Sequence, residues 1–478
     1  MTDFSIRFEK DLLNCLKILV SKKKYKKILK QNDYDFSNCF VKGLIAKLSS
    51  SNEFQLFVLD LYSKKLLKKY YFSLVEEIDV AEIFLKKYKA KTSLIFKNKF
   101  NYYCYNYLSK MIIKILIFFL SNQNNNHLRN LNNIFFYIIG YHSIGYEISK
   151  KIYSDTKKIF TKFFILKNFL YFFTTQKNFF IKSYSSNDYL LINKMLLNFF
   201  LIQRSITILK PKIIVSFEGD AWDHEMLYLL SKKIGFKSIV IQTATDLEVF
   251  QKAGFHNLKQ TKMLVWGKHY QKIYQKICPN QKIIKVVGNL LIFKKKKFKR
   301  NKIGILLQKR NNKISFENLE KFKELVYWLC KTFDKKIIIR PHPLDDDDYY
   351  NLKNMTFKKK IIIHDPKRVP IGETLNECSM IFAKYTSTIV EAASSGIVPV
   401  ILETSLKFEK KIDDLRNFDP PLISRSINQI KKTITILHNN DKKRGYISRN
   451  ISNKFRNHIN YFGKDSLKRI KSEIKAEI

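Results

Sequence analysis

The residues best suited to chemistry are an arginine and a histidine that follow a predicted strand. Arg340 and His342 stand in an Arg-Pro-His-Pro segment directly after three isoleucines at 337–339. The prolines fix φ and stop the strand, so both side chains are expected at its carboxyl end, where open parallel sheets bind ligands. A guanidinium and an imidazole there predict contact with phosphate oxygens and stabilisation of a departing nucleotide. The alternative is an ordinary β–α turn with a solvated histidine.

Three successive hydroxyl residues, Thr386, Ser387 and Thr388, open a predicted helix further along the chain. Backbone N–H groups and the helix dipole favour an anion at such a place. We therefore predict that these residues bind a nucleotide-activated donor, with Glu391 reaching the ribose hydroxyls. The spacing of Thr388 and Glu391 also fits a capping box, in which Glu391 would be purely structural.

Predicted strands and helices alternate from residue 211 onward, and the candidate residues lie at their ends. Apolar runs that end in glycine or polar residues predict strands at 212–217, 238–242, 263–266, 283–287, 303–307, 336–339, 360–364, 380–383 and 398–402. Amphipathic segments predict helices at 222–234, 316–333, 372–378 and 387–395. This alternation predicts parallel βαβ units with right-handed crossovers. The expected fold class is α/β, with two Rossmann-like domains facing a cleft.

A polar, basic stretch without periodicity, 293–302, is predicted as the linker between these domains. It separates an N-terminal domain, 1–292, from a C-terminal domain, 303–478, that ends in helices. The N-terminal domain is expected to begin with a helical part and to include a strand at 134–139. A length of 478 residues suits two domains of about 200 residues each.

The charge balance is strongly positive, with 88 Lys+Arg against 41 Asp+Glu and a formal net charge of +47. Such a balance can indicate a nucleic-acid- or membrane-binding protein on a non-catalytic scaffold. However, Lys, Asn, Ile, Phe and Tyr are abundant while Gly, Ala, Pro and Trp are scarce, a pattern that AT-rich codons produce. The basic residues are also spread along the whole chain. We interpret the charge as compositional, with modest attraction to an anionic membrane and no specific nucleic acid.

The cysteines and apolar segments indicate the compartment. Six cysteines are widely spaced without a C-x-x-C pair, which disfavours a disulfide framework and a structural zinc site. No signal peptide is evident at the N-terminus. The most apolar run, 111–120, is shorter than the roughly 20 residues that a spanning helix needs. We expect a cytoplasmic protein, with peripheral contact at the inner face of the cytoplasmic membrane.

Three motifs carry a resemblance to a known family. They are Phe217-Glu218-Gly219-Asp220, the Arg-Pro-His-Pro segment at 340–343, and the Tyr-Thr-Ser-Thr segment at 385–388 followed by Glu391. In these motifs and their order the chain resembles bacterial surface-carbohydrate (capsule and O-antigen) glycosyltransferases of the GT-B fold. This family is related to capsule Kdo transferases, polysialyltransferases and teichoic-acid glycerophosphotransferases. The resemblance covers roughly residues 211–405. One departure is Gln-Thr-Ala at 242–244, where many relatives have Gln-His-Gly.

The resemblance implies inverting transfer of a sugar from a nucleotide-activated donor, with CMP-sugars favoured, to a growing surface polysaccharide or lipid-linked glycan. It implies no obligatory metal and no other cofactor. By position, Glu218 or Asp220 would be the general base and His342 would stabilise the leaving nucleotide. An apolar, half-closed cleft can raise the pKa of a carboxyl toward the working pH, which suits a base; the alternative is a helix cap. A CDP-polyol phosphotransferase of the teichoic-acid type is the second hypothesis within reach of these motifs.

The remaining candidates lie beside the predicted cleft. Lys309 and Arg310 follow the first strand of the second domain and are predicted to reach donor phosphates. His224, inside the predicted helix at 222–234, and Gln242 and Thr243, after the next strand, are candidates for the acceptor side. For His224 the alternative is a satisfied helix histidine. Four acids at 345–348 are interpreted as a solvated helix start, so no metal ligands are predicted.

Overall fold

The chain begins with a helical layer that covers one face of a parallel sheet. The computed structural model describes residues 2–31, 33–97, 107, 134–137, 143–152, 191–192, 195–196, 198–199, 202–203, 206, 211–218, 222–243, 258–277, 281–292, 302–307, 319–333, 337–342, 361–366, 368–384, 386–403 and 410–478. The first helices are α1 (Thr2–Ser21), α2 (Lys23–Leu29), α3 (Ser37–Ser50) and α4 (Asn52–Ser63). A hairpin of β1 (Lys30–Gln31) and β2 (Tyr34–Asp35) lies between α2 and α3. Buried aromatic rings such as Phe36, Phe54 and Phe57 fill the core of this layer.

A βαβ unit completes the N-terminal part. Strand β3 (Lys69–Phe72) and strand β4 (Ser93–Phe96) pair in parallel, and α5 (Val75–Tyr88) connects them. In β3 the side chains alternate between exposed and buried, which places Tyr70 and Phe72 in the core. This period of two is the pattern of a strand with one covered face.

The first large sheet has five parallel strands in the order of the chain. They are β5 (Ile134–Tyr137), β6 (Ile213–Phe217), β7 (Lys237–Ile241), β8 (Lys262–Val265) and β9 (Ile284–Val286). Its helices are α6 (Ser143–Ile152), α7 (Trp222–Ile234) and α8 (Lys268–Ile277), with a 3₁₀ turn at Gln281–Ile283. Ile214 packs with α7 and the N-terminal layer, whereas Ile213 and Val215 pack with α6 on the other face. Both faces are therefore covered, as parallel sheets require.

The second large sheet has six parallel strands in the order β12-β11-β10-β13-β14-β15. The strands are β10 (Lys302–Leu306), β11 (Ile337–Arg340), β12 (Ile361–Ile363), β13 (Cys378–Ala383), β14 (Val398–Leu402) and β15 (Ile423–Ser424). The helices are α9 (Leu319–Thr332), α10 (Ile371–Glu377), α11 (Thr388–Ser394), α12 (Lys410–Asp413), α13 (Ile427–Asn439) and α14 (Asp441–Phe455), with a 3₁₀ turn at Asp414–Asn417. The central position of β10 brings the ends of β11 and β13 to either side of it.

The last helix, α15 (Gly463–Lys475), returns to the first sheet. Ile470 and Ile474 are buried in the same core as Ile148 and Ile213. Lys262 of β8 binds the carboxylates of Glu473 and Glu477, each at 2.9 Å. The C-terminus therefore ties the two sheets together, because α13 and α14 pack on the second sheet and α15 packs on the first.

The predicted fold class is confirmed: the chain is α/β, with two Rossmann-like parallel-sheet domains. The predicted bounds of α7 and β14 match the structure residue for residue, and the other strands and helices whose bounds were predicted differ at their ends by one to three residues. The domain division at 293–302 stays a prediction, because 293–301 lie outside the described residues and Lys302 already belongs to β10. Among the described residues, no helix is long and apolar enough to cross a bilayer.

The packing of α15 predicts a large loss of stability on truncation of its buried side chains. Ile470→Ala should lower the free energy of unfolding by about 2–4 kcal/mol, since it removes buried methyl groups and leaves a cavity. The control is Ile478→Ala, because Ile478 is 59% exposed and its truncation should change stability by about 0.5 kcal/mol or less. Urea unfolding of the two variants checks this, and equal losses would contradict the packing of α15.

Candidate functional site

Arg340 is held at the carboxyl end of β11 by two hydrogen bonds. Its Nη1 donates to the carbonyl oxygen of Val369 at 2.6 Å and to Oγ1 of Thr374 at 3.1 Å. Burial lowers the pKa of the Arg340 guanidinium, whereas the carboxylates of Glu147, Glu391 and Asp365 oppose this shift. The end of β11 therefore carries a buried positive charge, which has a fixed orientation and acidic neighbours.

A histidine and a threonine complete the support of Arg340. Thr374, which is fully buried, accepts the arginine bond, and its Oγ1 lies 3.0 Å from Nδ1 of His364. Because arginine only donates, the threonine hydroxyl hydrogen is available to Nδ1 of a neutral imidazole. Burial lowers the pKa of His364, Glu377 opposes this, and Arg340 and Lys302 lower it further. A neutral His364 therefore orients the hydroxyl that orients Arg340.

Glu391 lies on the first turn and a half of α11 and bonds to the other domain. Its Oε1 accepts a hydrogen bond from Nδ2 of Asn289 at 3.0 Å, and its carboxylate is also bonded to the Thr388 side chain. Thr388 is the first residue of α11, so Ser387 and not Thr388 occupies the capping position. The alternative explanation, a capping box of Thr388 and Glu391, is therefore not formed, and Glu391 is turned toward the interface between the two sheets.

Asn289 is placed by a turn that only glycine permits. Gly288 has φ +87, and a Cβ there would lie 2.1 Å from the carbonyl oxygen of Tyr461. Beyond this turn, the Asn289 N–H donates to the same Tyr461 oxygen at 2.9 Å, and the Asn289 carbonyl accepts from the N–H of Gly463 at 3.2 Å. Its Oδ1 accepts from the Leu291 N–H at 2.9 Å. With these bonds made, the amide nitrogen is aimed at Glu391.

The interface carboxyl is strongly shielded from water. Burial raises the pKa of Glu391 to about 7; the bonds from Asn289 and Thr388 and the charge of Arg340 oppose this shift, and the carboxylate of Glu147 adds to it. Glu147 belongs to α6 of the first sheet and forms an ion pair with Lys151 at 3.4 Å. The arrangement can bind the hydroxyl groups and phosphate of a polar ligand between the two domains.

The predicted hydroxyl cluster contacts itself and the backbone. Oγ1 of Thr386 accepts from the Thr388 N–H at 3.3 Å and lies 3.4 Å from its hydroxyl. The carbonyl of Ser387 accepts from the Val390 N–H at 3.0 Å, and its side chain makes no capping bond. Thr386 and Ser387 are partly exposed while Thr388 is buried. The structure thus brings Thr388 and Glu391 together, close to Arg340.

The candidate base Glu218 follows β6 in a strained backbone conformation. Its φ is +79, a value that side-chain-bearing residues rarely adopt and that tends to occur at functional sites. Its N–H donates to the Ile241 carbonyl at 2.9 Å, and its Oε1 accepts from Oγ1 of Thr243 at 3.1 Å. Two predicted site residues are therefore in contact at the carboxyl ends of β6 and β7.

The other acceptor-side candidates are buried and bonded to the backbone. Nε2 of His224 lies 2.8 Å from the Phe217 carbonyl. Gln242 accepts from the Trp266 N–H at 2.9 Å, and its carbonyl accepts from the indole N–H at 2.8 Å. Both side chains are 0–2% exposed, so they could meet an acceptor only if the structure covering them moved. Their acceptor-side role stays a prediction.

Two acidic residues of α7, Asp223 and Glu225, are buried in the interior. Glu225 of α7 pairs with Lys42 of α3 at 3.2 Å, and both are almost fully buried. Burial also raises the pKa of Asp223 to about 7. A buried ion pair of this kind orients α7 against the N-terminal layer and adds little net stability.

The remaining predicted site residues have different outcomes. Asp220, Lys309 and Arg310 lie outside the described residues. His342 is partly exposed two residues beyond Arg340, as expected for the strand end. Sequence reasoning missed Glu147, Asn289, His364 and Thr374. Only Asn289 had a local signal, the Gly-Asn pair after a strand, because the others are defined by contacts distant in sequence.

The hydrogen bonds that orient Arg340 predict that residue 374 must carry a hydroxyl group. Thr374→Val keeps the shape but leaves Arg340 and His364 each without one buried partner, so the free energy of unfolding should fall by about 1–3 kcal/mol. Thr374→Ser keeps the hydroxyl and should cost about 1 kcal/mol or less. Urea unfolding of both variants tests this. A valine variant as stable as the wild type would show that the hydrogen bonds of Thr374 do not contribute to stability.

The raised pKa of Glu391 predicts a pH-dependent stability. The folded value of about 7 lies above the ordinary 4.5, so the folded state binds the proton more tightly. Its stabilising contribution is complete below pH 4.5 and is lost as pH rises through about 7, by about 3 kcal/mol at most. Glu391→Gln should lack this component in unfolding measured from pH 5 to 8. Glu76 and Asp223 also have pKa values of about 7 but are common to both proteins. If the free energies of unfolding of the wild type and the Glu391→Gln variant changed with pH in parallel, the raised pKa of Glu391 would be contradicted.

Comparisons with known proteins find similarity at the level of overall structure. No protein-family model matches the chain, and no curated protein sequence matches it. A UDP-GlcNAc 2-epimerase from Neisseria meningitidis, bound to UDP-GlcNAc, is 11% identical over 72% of this chain and 99% of its own, with TM-score 0.45. S. aureus MnaA in complex with UDP is 12% identical over 72% and 95%, with TM-score 0.45. Acinetobacter baumannii MurG is 14% identical over 60% and 80%, with TM-score 0.36. With TM-scores below 0.5, these likenesses assign no activity to this chain.

Proposed function

We propose that the protein is a glycosyltransferase that uses a nucleotide-activated sugar. The observation that carries the proposal is the polar cluster between the two sheets, in which Arg340, Thr388 and Glu391 of the second domain meet Asn289 and Glu147 of the first. It lies at the carboxyl ends of parallel strands, the edge at which open α/β sheets bind ligands. Buried polar groups that satisfy one another across an interface suit a ligand with hydroxyls and charge.

On the donor side, the nucleotide would lie against the second domain. The Arg340 guanidinium, fixed by Thr374 and Val369, has further N–H groups that can donate to phosphate oxygens. Glu391 can accept hydrogen bonds from ribose hydroxyls when these replace the Asn289 amide as the donor to Oε1. His342, two residues past Arg340 and partly exposed, would donate to the departing phosphate.

On the acceptor side, the general base would come from the turn after β6. Glu218 has a positive φ, and its carboxylate accepts a hydrogen bond from the Thr243 hydroxyl. Asp220 is the second candidate by position. In the proposed inverting step, this carboxylate takes the proton of the acceptor hydroxyl while the acceptor oxygen bonds to the anomeric carbon. The bond from that carbon to the nucleotide phosphate breaks, and the phosphate keeps the electron pair. His342 and Arg340 balance the charge that develops on it.

The finer assignment follows from the motif resemblance. We propose a metal-independent enzyme without other cofactors that elongates a surface polysaccharide or lipid-linked glycan, with a CMP-sugar as the favoured donor. We propose that the protein is located in the cytoplasm and at the inner face of the cytoplasmic membrane, where such donors and acceptors meet. Support for this level comes from the 217–220, 340–343 and 385–391 motifs.

A nucleotide-binding screen tests the proposal. Ligands that bind the folded state raise the melting temperature, so CMP, CDP, UDP and GDP should be compared at equal millimolar concentrations. We expect CMP to give the largest rise and Glu391→Ala to abolish it. Preference for CDP would favour the polyol-phosphate reaction. If no nucleotide shifts the melting temperature, the glycosyltransferase proposal fails. The alternative that then remains is a protein that binds nucleic acid or membranes through its positive charge.

The proposed role of His342 predicts a loss of rate without a loss of stability. His342→Ala should lower transfer from the donor identified by the screen by at least about tenfold, since a donor to a developing charge acts mainly in the transition state. Because His342 is partly exposed, the free energy of unfolding should change by about 1 kcal/mol or less. His438→Ala is the control, since His438 packs on Phe333 in the same domain. Full activity of the His342 variant would exclude this role.

A further inference from the structure

His364 has a different polar partner at each of its two ring nitrogens. It follows β12 and is 7% exposed, and its N–H donates to the Ile339 carbonyl at 2.9 Å, which fixes the backbone at this strand end. On one side of the ring, Nδ1 lies 3.0 Å from Oγ1 of Thr374. On the other side, Nε2 lies 3.8 Å from Oε1 of Glu377. The imidazole is therefore placed between an acid and the hydroxyl that bonds Arg340.

The Glu377 carboxylate is shared with a lysine. Its Oε2 pairs with the ammonium group of Lys302, the first residue of β10, whereas its Oε1 is beyond hydrogen-bond distance of His364. A carboxylate at this distance attracts a protonated imidazole but does not require one. Glu377 therefore allows His364 to exist in either protonation state.

The charged groups that face His364 come from three elements. Burial has the largest effect and lowers the pKa of His364; Arg340 of β11 and Lys302 of β10 lower it further, whereas Glu373 and Glu377 of α10 oppose the shift. Without a bound anion, His364 is therefore neutral at pH 7, because a protonated ring would place a second buried cation beside Arg340.

The hydrogen bond between His364 and Thr374 can exist in both protonation states, but its direction differs. When the ring is neutral, Nδ1 accepts the hydroxyl hydrogen, and Oγ1 accepts the N–H of Arg340. When the ring is charged, Nδ1–H donates to the second lone pair of Oγ1, which still accepts from Arg340. Arg340 thus keeps its support in both states, while the positive charge beside it increases by one.

A phosphate group bound to Arg340 would change this balance. Its negative charge offsets the repulsion between Arg340 and a protonated His364, so the ring gains a proton more readily in the bound form than in the free form. Linkage makes this effect reciprocal: a ligand that favours the protonated ring also binds more tightly when the ring is protonated.

We propose that His364 is a positioning residue that couples nucleotide binding at Arg340 to the uptake of a proton. This inference rests on the proposed function, because it needs a phosphate at Arg340, and it adds a regulation by pH to that site. Near pH 7.5 the ring is neutral with or without ligand. As pH falls, the bound form is protonated first, so the affinity increases through slightly acidic pH and becomes constant once both forms are protonated.

The dependence of nucleotide affinity on pH tests the inference. The probe is the methyl ester of CMP, a phosphodiester whose phosphate charge is constant from about pH 5.5 to about pH 7.5, and its binding to the full-length protein is measured by calorimetry. The gain in affinity on acidification should be about threefold or more larger in the wild type than in His364→Asn. Asparagine cannot gain a proton, but its Oδ1 can accept the Thr374 hydroxyl. Glu391 and the other acids of the site are common to both proteins, so the ratio of the two gains isolates His364.

A leucine at the same position separates orientation from charge. Near pH 7.5, His364→Asn should bind the probe within about twofold of the wild type, whereas His364→Leu leaves the Thr374 hydroxyl without this acceptor and should bind it about threefold or more weakly. Glu377→Gln should reduce the gain on acidification, because it removes an acid that favours the charged ring. His438→Asn, in the same domain, is the matched control and should keep the wild-type gain.

Equal gains in the wild type and His364→Asn would overturn the proton coupling, and equal affinities of the leucine and asparagine variants near pH 7.5 would overturn the positioning role. If a substitution at the buried position prevents folding, Glu377→Gln decides, since its side chain is 41% exposed; an unchanged gain in this variant would overturn the coupling. The proposed function is tested separately by nucleotide binding to the wild type near neutral pH. Binding that does not depend on pH would reject only the role of His364.

Discussion

The bond between Asn289 and Glu391 is the contact on which the candidate site depends. It joins residues 102 positions apart, one after the last strand of the first sheet and one on the helix after a central strand of the second. The same asparagine binds Tyr461, Gly463 and Leu291 through its remaining polar groups. A single residue therefore links both domains and the start of the returning C-terminal helix, through its side chain and its backbone, and Gly288 is required for its position.

Burial of so many polar groups at an interface is costly unless each group has a partner. Here the partners form a connected set: His364 supports Thr374, Thr374 supports Arg340, and Arg340 acts on the charge of Glu391. The raised pKa of Glu391 shows that its charged form is only partly compensated. A ligand that supplies hydrogen-bond donors to this carboxylate would lower that cost, which gives the cleft a physical reason to bind one.

Local sequence predicted the elements of the second half well because their signals are strong. The helix at Trp222–Ile234 ends before Gly235, whose φ of +90 suits glycine, and the buried strand at Val398–Leu402 follows Gly396. The N-terminal elements could not be bounded in the same way, since runs of Phe, Tyr, Ile and Lys fit helix and strand alike. A strand as short as Ile423–Ser424 has no period to detect.

Local patterns in the amino-acid sequence are sufficient to specify the alternation of strands and helices, and with it the parallel sheets and the strand ends that place Arg340, His342 and Glu218. These follow from hydrophobic period and from glycine and proline, which act within a few residues. Long-range packing, in contrast, is the reason that Glu391 faces Asn289 instead of capping its helix, that His224 and Gln242 are buried, and that α15 crosses to the first sheet. Such outcomes depend on which distant surfaces bury each other, and no local pattern encodes that choice.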